Sequence, residues 1–135
     1  MIKKIEHIGI AVENPQKSNE IFEKLFGETS YKSELVESEG VKTYFYQLGE
    51  SKIELLEAVK ENSPIKKFIT KRGQGMHHIA FYVDDIHLEL DRLTNLGFEP
   101  IGGIKEGADN KLICFIHPKT TGGVLIELCQ EQGQL

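Results

Sequence analysis

The chain has 135 residues, of which 39% are hydrophobic and 27% are charged, proportions typical of one soluble globular domain. Its net charge of −5 argues against a nucleic-acid partner, and no apolar run approaches the roughly 20 residues that a membrane span needs. Strand-like alternation begins close to the first residue, so we expect no signal peptide and a cytoplasmic protein. Cys114 and Cys129 lie in apolar runs and are expected to be buried, reduced thiols.

The first half of the chain predicts a strand from His7, a helix and further strands. Apolar residues alternate along the strand as far as Asn14, a helix-capping residue, and Pro15 occupies the first helical position, where its missing N–H costs nothing. Gly27 is expected to end this helix. The apolar stripe of the helix contains Ile21, Phe22, Leu25 and Phe26. Strands are predicted at residues 42–48 and 51–56.

The second half repeats this pattern. A strand from His78 leads to the capping residue Asp85, and Gly97 is expected to end the helix that follows. The apolar stripe of this helix contains Ile86, Leu90, Leu93 and Leu96. Strands are predicted at residues 111–116 and 123–128.

The two halves are connected by a short helix that Ser63 caps and that ends at Gly73. Each half contains a strand, a helix and two or three further strands, which indicates a duplicated α+β unit. We therefore predict a single domain over residues 1–135. Its parts are module one at about 1–58, the connecting helix at about 63–73 and module two at about 76–131.

Each half places one histidine and one glutamate at matching positions. His7 and His78 both start a strand whose apolar residues face the helix, so both imidazoles should face the opposite side. By the same alternation, His77 points away from this side, and His78 is the functional candidate. Glu54 and Glu127 each lie in an Ile-Glu-Leu segment, where a bare carboxylate in an apolar strand is costly.

Taken one at a time, each of these four residues is more often structural or solvated, but their recurrence favours one shared site. Two similar halves usually pack about a pseudo-twofold axis, near which the four side chains could converge. Two imidazoles and two carboxylates suit a divalent cation such as Co²⁺, Mn²⁺, Ni²⁺, Zn²⁺ or Fe²⁺. The alternative is a duplicated domain without a metal. The predicted ligands are His7, Glu54, His78 and Glu127.

Five segments carry a resemblance to a known family: residues 5–12 (IEHIGIAV), 53–57 (IELLE), 63–68 (SPIKKF), 75–81 (GMHHIAF) and 117–128 (HPKTTGGVLIEL). They resemble the vicinal-oxygen-chelate superfamily, which includes glyoxalases, bleomycin-resistance proteins and dioxygenases, and within it the methylmalonyl-CoA epimerases. The resemblance implies an α+β fold of two tandem βαβββ modules that form a cupped mixed sheet around a metal site. It also implies the same four metal ligands, although Gln occurs in some members at the position of Glu54.

The resemblance further implies an isomerase that interconverts (2R)- and (2S)-methylmalonyl-CoA by removing the C2 proton, through an enolate that the metal stabilises. Glu127 would serve as an acid/base group as well as a ligand. Several members have a second glutamate base where this chain has Thr43, a poor base, so Glu37, Glu39 and a metal-bound water stay open as alternatives. The implied partners are an acyl-CoA substrate and a second copy in a homodimer. Possible substrate contacts are Thr43, Asn110, Lys111 and Lys119.

Two other functions of the same fold compete with an epimerase. Lactoylglutathione lyase, which acts on the hemithioacetal of methylglyoxal and glutathione, can have the same four ligands. Those lyases tend to have an Asp-Pro-Asp-Gly turn before the last strand, whereas this chain has the segment that begins at His117, which favours the epimerase. A non-catalytic binding module is the other alternative, and the presence of all four ligand residues weighs against it.

Overall fold

The computed structural model describes residues 1–133 and contains two modules with the same order of elements. The first module has β1 (Ile2–Ala11), α1 (Pro15–Phe26), β2 (Lys32–Val36), β3 (Val41–Leu48) and β4 (Ser51–Ala58). The connecting helix is α2 (Pro64–Arg72). The second module has β5 (Gly75–Val83), α3 (Ile86–Asn95), β6 (Pro100–Glu106), β7 (Lys111–Ile116) and β8 (Ile126–Glu131). Both modules are therefore βαβββ units, which confirms the predicted α+β class.

The helix ends follow the capping residues of the sequence. The Asn14 side chain accepts a hydrogen bond from the Lys17 N–H, and the Asp85 carboxylate accepts from the first turn of α3. Gly27 ends α1 with a left-handed φ of 73°, which a residue with a side chain adopts only with strain. None of the helices among residues 1–133 is long and apolar enough to cross a membrane.

Several details of the predicted elements are wrong. The strands that contain His7 and His78 start earlier, at Ile2 and Gly75, and Leu96 lies past the end of α3 and is 65% exposed. The last strand starts at Ile126 rather than at Gly123, because Gly122 and Gly123 both have positive φ and cannot continue an extended strand there. In α1, Ile21 and Leu25 are 57% and 69% exposed, although both belong to the apolar stripe. The contact face of α1 is narrower than the stripe, since Phe22 and Phe26 are the residues that pack against the sheet.

The chain forms two compact units whose boundary runs through β1 and β5. One unit is Ile8–His77, in which the strands are ordered β2-β3-β4-β1. Its two apolar clusters lie on opposite faces of the sheet, since neighbouring residues of β4 belong to different clusters. The cluster with α1 contains Val12, Tyr46 and Leu55, and the cluster with α2 contains Ala11, Val41, Leu56 and Ile65.

The other unit joins Met1–His7 to the chain from His78 onward, so the first seven residues pack with the second module. Its strands are ordered β5-β8-β7-β6, and β5 and β8 are parallel. One face packs against α3 through Val83, Ile86, Leu93, Cys114 and Leu128. The opposite face contains Ala80, Ile113, Phe115 and Cys129. Both cysteines are buried thiols outside any disulfide, as predicted, and they lie on opposite faces of the sheet.

Candidate metal centre

His7 and His78 meet inside the unit that holds both ends of the described chain. Their Nε2 atoms are 3.0 Å apart and their rings are nearly perpendicular, at 86°. The two side chains are only 6% and 7% exposed. A neutral imidazole carries one N–H and one lone pair, so at most one of the two facing nitrogens can donate to the other. Two imidazole nitrogens this close to each other could both bind one metal ion as histidine ligands.

Glu127 brings a carboxylate to the same point. Residue 127 pairs with Ala80 across the parallel strands β5 and β8, and Ala80 lies two residues beyond His78 on the same face. Glu127 Oε1 is 3.2 Å from His78 Nε2 and 3.8 Å from His7 Nε2. The three ligand atoms all lie within 4.8 Å of one another, and all three residues are buried. Two imidazoles and a carboxylate are donors that fit the predicted divalent cations.

The electrostatic balance around Glu127 keeps its carboxylate ionised. Burial raises the pKa of this carboxyl, but attraction to His7 and the hydrogen bond from His78 outweigh burial and hold the pKa below its ordinary value. The ring of Phe115 packs edge-on against His78, with centroids 5.7 Å apart. The apolar surroundings keep water from screening these interactions, which strengthens the attraction between the carboxylate and a cation.

His77 and His78 separate as the strand alternation predicts. The ring of His77 packs against Phe68 of α2, with ring centroids 4.9 Å apart. His78 therefore joins His7, and His77 has a packing contact instead.

Glu6 is a site residue that the sequence reasoning missed. Its Oε1 atom is 2.8 Å from His7 Nδ1, and its side chain is 5% exposed. Glu6 also belongs to a second group of buried donors, with His7 and Cys129, whose atoms lie within 4.8 Å of one another. Strand alternation assigned Glu6 to the face opposite His7, and only the sequence adjacency to a candidate ligand could have drawn attention to it.

Glu54 and Thr43 belong to the other compact unit. Glu54 is buried on β4 and pairs with Phe45 of β3, and Thr43 is buried two residues away on β3. Alternation places Thr43 and Glu54 on one face of the sheet. Glu34 of β2 lies directly opposite Thr43 in the strand register.

The three residues considered for contacts to the CoA end lie at or near the start of β7 and in the turn after it. Lys111 is buried, and its Nζ atom is 3.5 Å from Asp109 Oδ2 and 3.7 Å from Glu131 Oε1. Asn110 has a left-handed φ of 55°. Lys119 is exposed and its Nζ atom is 2.9 Å from Glu99 Oε2. Both lysines therefore have carboxylate partners within the chain.

Comparison with known proteins agrees with this fold. The model of the Glyoxalase/Bleomycin resistance protein/Dioxygenase superfamily matches residues 6–115. An uncharacterized protein of Bacillus subtilis is 37% identical over 98% of this chain and 95% of its own length. The mitochondrial methylmalonyl-CoA epimerase of Dictyostelium discoideum is 38% identical over 94% of this chain and 78% of its own length.

A solved structure with a bound ligand is also similar. It is a variant of Streptomyces coelicolor methylmalonyl-CoA epimerase in complex with 2-nitronate-propionyl-CoA. The TM-score is 0.91 and the sequence identity is 28%, with 98% of this chain and 100% of the other chain covered. The fold predicted from the repeat is therefore the fold of a protein that binds an acyl-CoA derivative.

Proposed function

Because the chain belongs to the Glyoxalase/Bleomycin resistance protein/Dioxygenase superfamily, we propose that it is a metal-dependent epimerase which interconverts (2R)- and (2S)-methylmalonyl-CoA. The observation that carries the proposal is the buried group formed by His7, His78 and Glu127. The similarity to epimerases over nearly the whole chain supports this substrate over the hemithioacetal of a glyoxalase.

The proposed ligands are His7, His78 and Glu127, with Glu54 as the fourth. The three clustered residues fit a divalent cation because they offer two imidazole nitrogens and an ionised carboxylate. Glu54 is supported by the repeat, in which it occupies the same place in Ile-Glu-Leu as Glu127, and by its burial as a carboxylate in an apolar strand. A divalent cation held there would stabilise the negative charge that develops on the thioester oxygen.

Glu127 is the proposed base for one face of C2. The C2–H bond of the substrate breaks, the proton passes to a carboxylate oxygen of Glu127, and the electron pair moves into the thioester carbonyl as an enolate. Proton transfer from the opposite face then gives the other epimer, so the reaction needs two acid/base groups. The Glu127 carboxyl is ionised, so one of its oxygens is available to accept the proton.

The second group is proposed to be Glu34. Thr43 has a hydroxyl that is a poor base, but its register partner Glu34 has a carboxylate on the same face of the sheet. Side chains that are directly opposite on antiparallel strands have Cβ atoms about 5 Å apart, so Glu34 reaches the surroundings of Thr43. Of the earlier alternatives in the short turn after β2, Glu37 is exposed and Glu39 is half-buried, and neither lies opposite Thr43 in the strand register.

We further propose that the CoA end of the substrate lies near Asn110, Lys111 and Lys119. Lys111 shares a face of β7 with Phe115, the residue that packs against His78. Its positive charge therefore lies on the face of the sheet that carries the candidate metal centre.

A homodimer is expected as well, and size-exclusion chromatography with light scattering tests it.

Exchange with solvent tests the proposed reaction. Protein loaded with Co²⁺ is incubated in D₂O with (2R)- or (2S)-methylmalonyl-CoA, and C2 deuteration and inversion are followed by NMR and chiral chromatography. We expect deuterium at C2 and conversion to the other epimer, both of which a chelator should abolish. The hemithioacetal of methylglyoxal and glutathione is tested in parallel. Turnover of the hemithioacetal alone would reject the epimerase and favour the lyase.

A further inference from the structure

Glu6 contacts the ring nitrogen of His7 that is directed away from the candidate metal centre. The contact joins Glu6 Oε1 to Nδ1, while Nε2 is the atom that approaches His78 and Glu127. We infer that Glu6 is a positioning residue, which holds His7 in the tautomer with a proton on Nδ1 so that Nε2 presents its lone pair to a metal. The inference rests on the proposed function, since the metal is the one proposed above.

The chemistry of the two groups determines where the proton lies. An ionised carboxylate has only acceptor oxygens, so Nδ1 of His7 must donate to Glu6. A neutral imidazole has a single N–H, and Nε2 then carries the lone pair. A metal binds imidazole only through a lone pair, so the tautomer that Glu6 selects is the one that can bind through Nε2. Without Glu6, the tautomer with the proton on Nε2 becomes accessible, and in that tautomer Nε2 cannot bind.

Folding stability alone does not explain why a carboxylate is buried at Glu6. A carboxylate that is 5% exposed has lost most of its hydration, which is costly unless hydrogen bonds replace it. The distance of 2.8 Å between Glu6 Oε1 and His7 Nδ1 is in the range of charge-assisted hydrogen bonds. A buried carboxylate with a hydrogen-bond partner nevertheless adds little net stability compared with apolar residues of the same size. A role in orienting His7 therefore explains the buried carboxylate of Glu6 better than a contribution to folding stability does.

The repeat offers an internal comparison. The position that corresponds to Glu6 in the second module is His77, and its ring packs against Phe68. His78 has an edge-on contact with Phe115 instead of a carboxylate from the preceding residue. The effect of Glu6 should therefore be specific to His7.

The tautomer can be measured without any metal. The chain contains five histidines, and ¹⁵N labelling of their rings distinguishes the protonated nitrogen of each by NMR at alkaline pH. We expect His7 to carry its proton on Nδ1 in the wild type and to populate the Nε2-protonated form in Glu6→Ala and Glu6→Leu, which offer Nδ1 no acceptor, with His78 unchanged. If folded variants keep the wild-type His7 tautomer, the inference is overturned. Two variants ensure a result if Glu6→Ala does not fold.

Metal affinity supplies the second readout. Calorimetric titration with Co²⁺ should show about tenfold to hundredfold weaker binding in Glu6→Ala, with a smaller loss in Glu6→Gln, whose amide oxygen can still accept. Cys114→Ala is the control for lost buried volume, because Cys114 is also buried but lies on the opposite face of the sheet from Cys129. An equal loss in Cys114→Ala would assign the effect to packing and reject the role of Glu6. If the wild type binds no Co²⁺, the proposed metal fails, while the tautomer measurement still decides the role of Glu6.

Discussion

The Nε2 atoms of His7 and His78 are 3.0 Å apart although 71 positions separate the two residues in the chain. His7 lies on β1 and His78 on β5, the first strand of each βαβββ module, and the first seven residues pack with the second module. The pair therefore lies within one compact unit, where Glu127 completes a group of three donors. This relationship makes the metal proposal testable residue by residue.

Substitution of His78 should weaken Co²⁺ binding, whereas substitution of its neighbour His77 should not. We expect His78→Ala to lower Co²⁺ affinity by at least about tenfold and to remove most of the epimerase activity, because one of the clustered nitrogens is lost. His77→Ala should retain Co²⁺ affinity, since this ring packs against Phe68. Calorimetric titration of the two variants side by side measures the difference. Loss of binding in His77→Ala but not in His78→Ala would contradict the strand alternation.

Substitutions of the two glutamates in the proposed ligand set should differ in their effects on proton exchange and on Co²⁺ affinity. Glu127→Gln removes a negative charge and the proposed base for one face, so inversion of both epimers and C2 exchange of the epimer that Glu127 deprotonates should fall by about 10²–10⁴-fold. Glu54→Gln should lower Co²⁺ affinity less severely, because its amide oxygen remains a metal donor and no proton transfer is assigned to it. Deuterium exchange in D₂O and Co²⁺ titration provide the two measurements. Full exchange activity in Glu127→Gln would exclude it as the base.

Local sequence signals predicted most of the fold. Asn14, Ser63 and Asp85 are capping residues whose side chains bond the first turn of a helix in the structure, as expected. The exposed half of the α1 stripe was not predictable, since how much of a helix is covered depends on the sheet that it meets. Glu54 was selected because a carboxylate is unusual in an apolar strand, and this signal identified a buried residue correctly.

The contact of Glu6 with His7 could not be predicted for a different reason. Alternation along β1 assigns adjacent residues to opposite faces, so it gives no cause to expect a hydrogen bond between neighbouring side chains. The burial of Lys111 was equally hidden, because lysine is almost always exposed unless charged partners surround it. Its partners Asp109 and Glu131 lie in a turn and on another strand, and only the folded chain brings them together.

A buried ion pair outside the site should make stability depend on pH. Glu89 is 2% exposed, and its carboxylate accepts from Arg92 and lies 3.0 Å from the amine of Met1. Burial raises the pKa of Glu89, but the hydrogen bonds from Arg92 and Met1 outweigh it and hold the pKa below 4.5. Its stabilisation is thus complete above the unfolded pKa and is lost as pH falls through the folded pKa.

Urea unfolding of Glu89→Gln at neutral and at acid pH measures this contribution. At neutral pH we expect the free energy of unfolding to decrease by about 1–3 kcal/mol, because Arg92 loses its charged partner. In acid, where the wild-type carboxyl is also protonated, the difference should shrink. Glu99→Gln is the control, since Glu99 pairs with Lys119 at the surface and should contribute little. If Glu89→Gln lowers the free energy of unfolding equally at both pH values, the loss of charge is not the cause of the destabilisation.

Substitution of Glu34 or Thr43 tests which residue is the second acid/base group. If Glu34 serves one face of C2 and Glu127 the other, Glu34→Gln should lose inversion of both epimers. Glu127 would still remove the C2 proton of one epimer and return deuterium to the same face, so that epimer should exchange without inverting. Thr43→Ala should invert at nearly the wild-type rate, because its hydroxyl is a poor base.

Following inversion and deuteration separately for each epimer distinguishes these outcomes. Glu37→Gln serves as the control, because this carboxylate is exposed in the turn after β2 and should be replaceable without effect. A variant that merely misfolds loses exchange and inversion together for both epimers, whereas loss of one base leaves exchange of one epimer intact. Normal inversion by Glu34→Gln would exclude Glu34, and loss of inversion in Thr43→Ala would move the second proton transfer to the hydroxyl of Thr43.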